Sequence, residues 1–188
     1  MAGDEDAFSM LYKKRQSGVY RFAFQMSGSR SIAEDVTQEV FLLLMREAAG
    51  YDPERGSISS YLYGVARNFV LRRVQQEQRF IPIDDDHGDS QFEGEQFVAR
   101  GDLLSDLTRI QTIEMVRGAV LSRPPRYREV VVLCDLHEVS YAEAAVVLQC
   151  ALGTVRYRLH RARALLAEKL RENAKPDSQA VTTARCFA

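Results

Sequence analysis

The stretch LGTVRYRLHRARALL, residues 152–166, decides the fold of this chain. Its apolar residues recur at alternating spacings of three and four, the period of an amphipathic helix; they are Leu152, Val155, Leu159, Ala162 and Leu166. At about 100° per residue, arginines, a tyrosine and a histidine point away from this apolar stripe. Such a helix is shaped to enter the major groove of DNA. Taken alone, the pattern also fits a solvated charged face on an ordinary amphipathic helix.

A second, short helix is predicted immediately before this basic helix. Ser140 and Glu143 stand three residues apart, which is the spacing of a capping box at a helix start. The helix is expected to end near Leu148, and residues 149–151 leave room only for a tight turn. Helix, tight turn and basic helix in this order predict a DNA-binding helix-turn-helix.

The charge of the chain is segregated. The 188 residues carry a net charge of only −1, so the protein does not coat nucleic acid through its overall charge. Residues 151–171 hold six Arg or Lys against one Glu, whereas residues 84–95 hold six acidic residues and no Arg or Lys. A weakly acidic chain with one basic helix is expected to depend on a larger partner for its DNA affinity.

The acidic stretch is also the predicted domain boundary. We expect an all-α fold of two small helical domains, at residues 5–80 and 109–172, joined by a flexible acidic linker at 81–108. The final residues, 173–188, are polar and lack helical periodicity, so they are expected to form a disordered tail.

Several segments of the C-terminal half resemble the DNA-binding region of bacterial sigma factors of the extracytoplasmic-function type. They are PPRYREVVVL at 124–133, SYAE at 140–143, GTVR at 153–156 and RLHRAR at 158–163. The resemblance covers residues 121–171 and implies that the basic helix reads the minus-thirty-five promoter element. The residues it assigns to this element are Thr154, Arg156, Tyr157, Arg158 and Arg161. Gln149 stands where the family usually has a turn glycine, so a slightly different turn is expected.

The segment AEDVTQEVFL, residues 33–42, resembles the part of these sigma factors that docks on the clamp helices of RNA polymerase. Helical spacing predicts an inward apolar stripe formed by Ile32, Val36, Val40 and Leu43. The resemblance implies that polymerase is bound by Asp35, Gln38, Glu39 and Phe41. For this helix in isolation, a solvated acidic face is the alternative interpretation.

The next predicted helix, from Ser57 to about Gln78, is similar to the promoter-melting region of the same family. Its predicted buried stripe is Ile58, Leu62, Val65 and Phe69. Aromatic rings among arginines suit single-stranded DNA, because rings stack on unpaired bases and guanidinium groups hold phosphates. The alternative is that its tyrosines are boundary residues of a small core.

The loop at 52–57 matches the family's loop that captures a flipped base of the minus-ten element. The resemblance assigns this element to Glu54, Arg55, Tyr61, Asn68 and Arg72. Two positions of the helix depart from the family pattern. Gly64 stands where a long, often basic residue is usual, and Tyr61 stands where Trp is common.

The cysteines show no sign of a disulfide framework or a metal site. Cys134, Cys150 and Cys186 have no paired spacing, and no apolar run approaches the roughly 18 residues of a membrane span. A cytoplasmic protein with reduced thiols and no membrane insertion is therefore expected. Cys134 and His137 lack the second ligand pair of a zinc site and the elbow motif of a hydrolase. No metal or cofactor is predicted.

These patterns together predict an alternative sigma factor that catalyses no reaction itself. The resemblance implies three partners: core RNA polymerase, promoter DNA in double-stranded and melted form, and an anti-sigma factor. In this family the interdomain linker runs through the polymerase, where an acidic linker could mimic nucleic acid. The alternative is a free-standing helix-turn-helix regulator, which leaves residues 30–80 unexplained.

Overall fold

The structure, a computed structural model, describes residues 2–47, 51–80 and 103–173. In these ranges it contains helices and no strand, so the predicted all-α fold is confirmed. The helices are α1 (Ala2–Ser27), α2 (Arg30–Arg46), α3 (Ile58–Phe80), α4 (Leu103–Leu121), α5 (Pro125–Val131), α6 (Tyr141–Val147) and α7 (Leu152–Asn173). A short 3-10 turn (Pro53–Arg55) precedes α3, and a π-helical segment (Val132–Leu136) extends α5.

Helices α1, α2 and α3 pack together and form the N-terminal unit. Their shared core contains Val19, Phe22, Met26, Val36, Val40, Leu62 and Val70, each about 1% exposed or less. Burial of each such side chain stabilises the unit by about 1.5–3 kcal/mol before the entropy of folding is counted. The turn between α1 and α2 is formed by Gly28, which has a φ of 77°, and by Ser29, whose side chain accepts a hydrogen bond from the Ile32 N–H.

Helices α4 to α7 form the C-terminal unit, which contains the predicted helix-turn-helix as α6 and α7. Ser140 caps α6 by accepting a hydrogen bond from the Glu143 N–H, as the capping-box spacing predicts. The apolar stripe of α7 is buried at Val155, Leu159 and Ala162, whereas its first predicted member, Leu152, is 39% exposed.

The turn of this motif keeps a glycine-like backbone conformation, rather than the slightly different turn expected from Gln149. Gln149 adopts a φ of 51°, in the left-handed region that favours glycine. Its backbone N–H donates to the Val146 carbonyl at 3.2 Å.

Three predicted details differ from the structure. On α2, Leu43 of the predicted inward stripe is half-buried, whereas its neighbour Leu44 is buried. Helix α4 begins at Leu103, so residues 103–108 of the predicted linker are helical. On α3 the fully buried positions are Leu62, Ala66 and Val70, while Ile58, Val65 and Phe69 of the predicted stripe are half-buried. The remaining predicted linker, 81–102, and the predicted tail from residue 174 onward lie outside the described residues.

The two units contact each other and share a continuous apolar core. Helix α3 packs on α6, and α1 packs on α4, α5 and the π-helical segment. A Cβ added at Gly28 would lie 3.0 Å from Cδ1 of Leu121, so α4 approaches the α1–α2 turn closely. None of the described helices has the length and apolarity that crossing a membrane requires.

Candidate nucleic-acid interface

The exposed face of α7 is basic and aromatic. Helix packing buries its apolar stripe, which leaves Arg156, Tyr157 and Arg161 exposed on the opposite side. Tyr157 is 66% exposed. His160 belongs to the same exposed face. The predicted set omits His160, although the helical period already places it there.

Three other polar residues of α7 lie outside this exposed face. Thr154 and Arg158, both in the predicted set, are half-buried at the edge of the packed stripe. The Arg163 guanidinium Nε donates to Asp135 Oδ2 at 3.1 Å, which ties α7 to the π-helical segment. Arg163 therefore braces the helix, and the side chains freest to meet DNA are those of the Tyr157 face.

The loop before α3 has a defined shape. The Asp52 carboxylate accepts a hydrogen bond from the Glu54 N–H at 3.0 Å and caps the 3-10 turn. Gly56 takes a φ of 148°, which L side chains rarely adopt, and its carbonyl accepts from the Tyr51 hydroxyl at 3.3 Å. The Tyr51 ring packs edge-on against Tyr61, with centroids 5.7 Å apart. These contacts fix the loop against the start of α3.

The loop, α3 and part of the C-terminal unit line a half-open cavity of about 240 Å³, here called the α3 cavity. Its walls include Tyr51, Asp52, Gly56, Tyr61, Gly64 and Asn68 on the N-terminal unit, and Val146, Val147 and Gln149 on the C-terminal unit. The cavity is smaller than the roughly 300–1,000 Å³ of drug-sized ligand sites, so it suits one ring system, such as a single base.

The structure brings together only part of the predicted minus-ten set. Tyr61 and Asn68 share the α3 cavity. Arg72 is exposed one turn further along, with its guanidinium carbon 5.7 Å from the centroid of the Phe69 ring. Glu54 is exposed on the 3-10 turn, and the side chain of Arg55 lies outside the described residues.

The outer face of α2 is acidic at one end and apolar at the other. Asp35 and Gln38 are exposed, as predicted for docking residues. Arg73 of α3 forms ion pairs with Glu39 and, at 3.8 Å, with Asp35. These pairs orient the two carboxylates without covering the surface.

Phe41 lies beneath this surface. It is 3% exposed, and its ring packs against Tyr12 with centroids 4.8 Å apart. In the structure Phe41 belongs to the core, so its helical neighbours present the apolar surface instead. Leu42 and Met45, 40% and 62% exposed, follow Gln38 by one and two turns. The sequence-based set missed both, although four- and seven-residue steps from Gln38 predict that they share its face.

Cys134 and His137 do not form a catalytic or metal-binding pair. Burial raises the pKa of the Cys134 thiol to about 11, so a nucleophilic thiolate is scarce at neutral pH. His137 instead makes hydrogen bonds with Tyr63 and Gln25. Within the described ranges, no group of three or more His, Cys, Asp or Glu residues has the arrangement of a metal site.

Comparison with known proteins assigns each unit to a family. Residues 11–80 match sigma-70 region 2, and residues 116–166 match sigma-70 region 4. The chain is 32% identical to the ECF RNA polymerase sigma factor SigE of Mycolicibacterium smegmatis, covering 94% of this chain and 68% of that protein. It is 30% identical to the ECF RNA polymerase sigma factor SigW of Bacillus subtilis, covering 90% of this chain and 92% of that protein.

Two solved structures share the fold. The sigma factor RpoE, in a co-crystal structure with the anti-sigma factor NepR from Bartonella quintana, aligns with a TM-score of 0.66 at 21% identity, over 88% of this chain and 97% of that chain. CnrH, in complex with the cytosolic domain of CnrY, aligns with the same score and identity over 92% and 93% of the two chains.

Both units therefore have counterparts in one family of proteins, and the relatives match over most of this chain. A free-standing helix-turn-helix regulator would account for α4 to α7 alone. The chain belongs to the extracytoplasmic-function sigma factors, the alternative sigma factors that bind core RNA polymerase and direct promoter-specific initiation of transcription.

Proposed function

We propose that three surfaces of this sigma factor have separate binding roles. The outer face of α2 binds core polymerase, the α3 cavity receives a base of the melted minus-ten element, and the exposed face of α7 reads the minus-thirty-five element. The observation that carries this proposal is that Tyr61 and Asn68 line one base-sized cavity together with the loop at 52–57.

The α3 cavity has the chemistry that captures an unpaired base. The Tyr61 ring offers a stacking surface, and the Asn68 amide offers a donor and an acceptor to a base edge. Stacking contributes about 1–3 kcal/mol per base, which is comparable with the few kcal/mol needed to extrude one. Arg72, exposed one turn away, is in position to hold a phosphate of the same strand. Glu54 and Arg55, on the neighbouring 3-10 turn, complete this proposed site.

The upstream element is read from the major groove by α7. Arg156, Tyr157, His160 and Arg161 form the central contact set, because they share the exposed face. Arg pairs with guanine, and apolar ring atoms contact the thymine methyl group. Thr154 and Arg158, at the edge of the packed stripe, are assigned to the phosphate backbone beside the groove.

Core polymerase meets the outer face of α2. Asp35, Gln38 and Glu39 supply polar and acidic contacts, and Leu42 and Met45 supply an apolar anchor. Gln38, Leu42 and Met45 border a groove of about 640 Å³ between α1 and α2. Phe41 supports the surface from below through its packing on Tyr12.

The chain itself catalyses no reaction, because initiation chemistry belongs to the polymerase. It acts in the cytoplasm, where core polymerase and chromosome meet. We also assign it an anti-sigma factor as inhibitor, because solved structures with this fold include sigma factors bound to such proteins.

A gel-shift assay with and without core polymerase tests the proposal against a free-standing regulator. The chain alone should bind duplex genomic fragments weakly, and core enzyme should produce a specific, slower complex. Tight, sequence-specific binding by the chain alone would contradict the proposal.

A further inference from the structure

A glycine stands at the centre of the wall that α3 contributes to the cavity. Tyr61, Gly64 and Asn68 are spaced by three and four residues, so they lie on one face of α3, and all three line the cavity. A Cβ added at Gly64 would meet no atom within 4 Å, so the space beside this residue is open. These three residues, here called the α3 wall, therefore leave a gap between an aromatic ring and an amide.

Packing does not account for this gap. Glycine in the middle of a helix is destabilising relative to alanine, so a packing or functional benefit is expected where it occurs. Gly18 of α1 has a packing benefit, because a Cβ there would lie 3.3 Å from the Tyr63 hydroxyl oxygen. Gly118 of α4 is as open as Gly64 but is not part of the cavity wall. Gly64 differs from both because its missing side chain enlarges a cavity.

The gap sets the size of the base that the α3 wall accepts. Tyr61 and Asn68 are seven residues apart, which is about 10 Å along the axis of an α-helix. A base that stacks on the Tyr61 ring and pairs with the Asn68 amide has to lie over Gly64. A purine, with two fused rings, reaches further across this gap than the single ring of a pyrimidine. A side chain at residue 64 would fill the space and leave room for the smaller base only.

The polar groups of the cavity favour one of the two purines. The Asp52 carboxylate lines the cavity and, besides its bond from the Glu54 N–H, can accept from an exocyclic amino group. The Asn68 amide can pair with adenine through two hydrogen bonds, donating to N7 and accepting from the N6 amino group. Adenine therefore combines two rings with an amino group that these acceptors bind, whereas thymine has neither feature.

We propose that Gly64 is a specificity-determining residue, which makes the α3 cavity selective for adenine at the captured position of the melted promoter strand. Tyr61 supplies the stacking surface, Asn68 and Asp52 supply the polar contacts, and Gly64 supplies the space for the second ring. All four residues belong to α3 or to the loop at 52–57, so the selectivity is a property of the N-terminal unit. The proposal rests on the base-binding role of the cavity given above.

The selectivity is testable with holoenzyme, formed from core polymerase and the full chain, and a pool of random single-stranded DNA. Sequencing of the bound fraction gives the base preference at each position of the selected motif. The parent should enrich adenine over each other base at one position by at least about fivefold, the lower end of discrimination by a bidentate contact. Gly64→Leu should abolish this preference or reverse it toward a pyrimidine, and Gly64→Ala should reduce it by less.

Gly118→Leu is the matched control for the larger side chain. It places the same residue at another open position inside a helix and should leave the base preference of the parent unchanged. Circular dichroism checks that each variant keeps its helical content, and Gly64→Ala decides the comparison if Gly64→Leu does not. Preference of the parent for a base other than adenine, or an undiminished adenine preference in the folded Gly64 variants, would overturn the proposal.

The Tyr61→Ala, Asn68→Ala protein separates this inference from the proposed function. If the cavity binds a base, this protein should lose the preference that the parent shows, whichever base is preferred. A preference that it loses, but that is not for adenine or does not respond to Gly64→Leu, would contradict the role of Gly64 and leave base binding supported. If no preference depends on Tyr61 and Asn68, the base-binding role and the inference both fail.

Discussion

At the scale of single residues, the surroundings of a side chain decide whether it packs in the core or lies at the surface. Phe41 and Met45 are both large apolar residues of α2, and the resemblance pointed to Phe41. The structure buries Phe41 to 3% exposure and leaves Met45 62% exposed. Which of two apolar neighbours faces inward depends on α1, whose aromatic ring at Tyr12 covers Phe41. Spacing within α2 places Leu42 and Met45 on the face of Gln38, but the burial of Phe41 also depends on this contact with α1.

Substitution of Phe41 should therefore affect stability, whereas substitution of Met45 should affect polymerase binding. Phe41→Ala removes a buried ring and should lower the free energy of unfolding by about 3–5 kcal/mol. Met45→Ala should change that free energy by less than about 0.5 kcal/mol while reducing co-purification with core polymerase. Urea denaturation and pull-down with core enzyme measure the two effects. Undiminished polymerase binding by the Met45 variant would remove Met45 from the docking surface.

Gly64 should tolerate a side chain in the free protein. A Cβ at this position in the middle of α3 would meet no atom within 4 Å. Gly64→Ala should therefore raise the free energy of unfolding by about 0.5–1 kcal/mol, since glycine loses more backbone entropy in a helix. Gly18→Ala in α1 is the matched control and should gain less, because its Cβ would lie 3.3 Å from the Tyr63 hydroxyl. A destabilised Gly64 variant in urea denaturation would contradict this prediction.

At the scale of secondary-structure elements, sequence patterns correctly predicted the features that depend on residues close together in the chain. The capping box at Ser140 and the apolar period of α7 act within a few residues, and both are present in the structure. The buried face of α3 is harder to predict from its own sequence. Its fully buried positions are shifted because α1 and α2 pack on one side and α6 on another. Contacts between residues far apart in sequence, such as Arg67 and Glu129, leave no periodic signal.

The exposed face of α7 yields a prediction about the minus-thirty-five element. Replacement of His160 or Arg161 by Ala should weaken recognition by about 1–3 kcal/mol at one base pair, if each reads a base edge. Arg158→Ala should weaken all sequences alike, because its half-buried position suits a phosphate contact. Binding of holoenzyme to promoter fragments with single base changes distinguishes the two patterns. Unaltered sequence preference in the His160 and Arg161 variants would exclude them from base reading.

The α3 cavity yields a second prediction at this scale. A Tyr61→Ala, Asn68→Ala protein should form open complexes poorly on duplex promoters, because extruded bases lose their stacking partner. A promoter with a pre-melted bubble should restore much of the activity, since the unpairing free energy is already supplied. Permanganate footprinting of unpaired thymines measures the opened fraction. Absence of rescue, together with failed polymerase association, would show that the two residues only pack this unit.

At the scale of the whole molecule, the two small units are in contact. Their contact combines a shared apolar core with hydrogen bonds between Arg67 and Glu129, Ser60 and Glu143, and Tyr63 and His137. The sequence predicted two units and their functions, but the packing of one on the other depends on side chains more than 60 positions apart in sequence.

The central claim is that the chain directs core polymerase to promoters. Run-off transcription of a library of genomic fragments, with core enzyme in the presence and absence of the chain, tests it most directly. We predict discrete transcripts that require the chain, that start downstream of two shared promoter sequence elements, and that disappear with the Tyr61→Ala, Asn68→Ala protein. Transcripts that are identical with and without the chain would contradict the account.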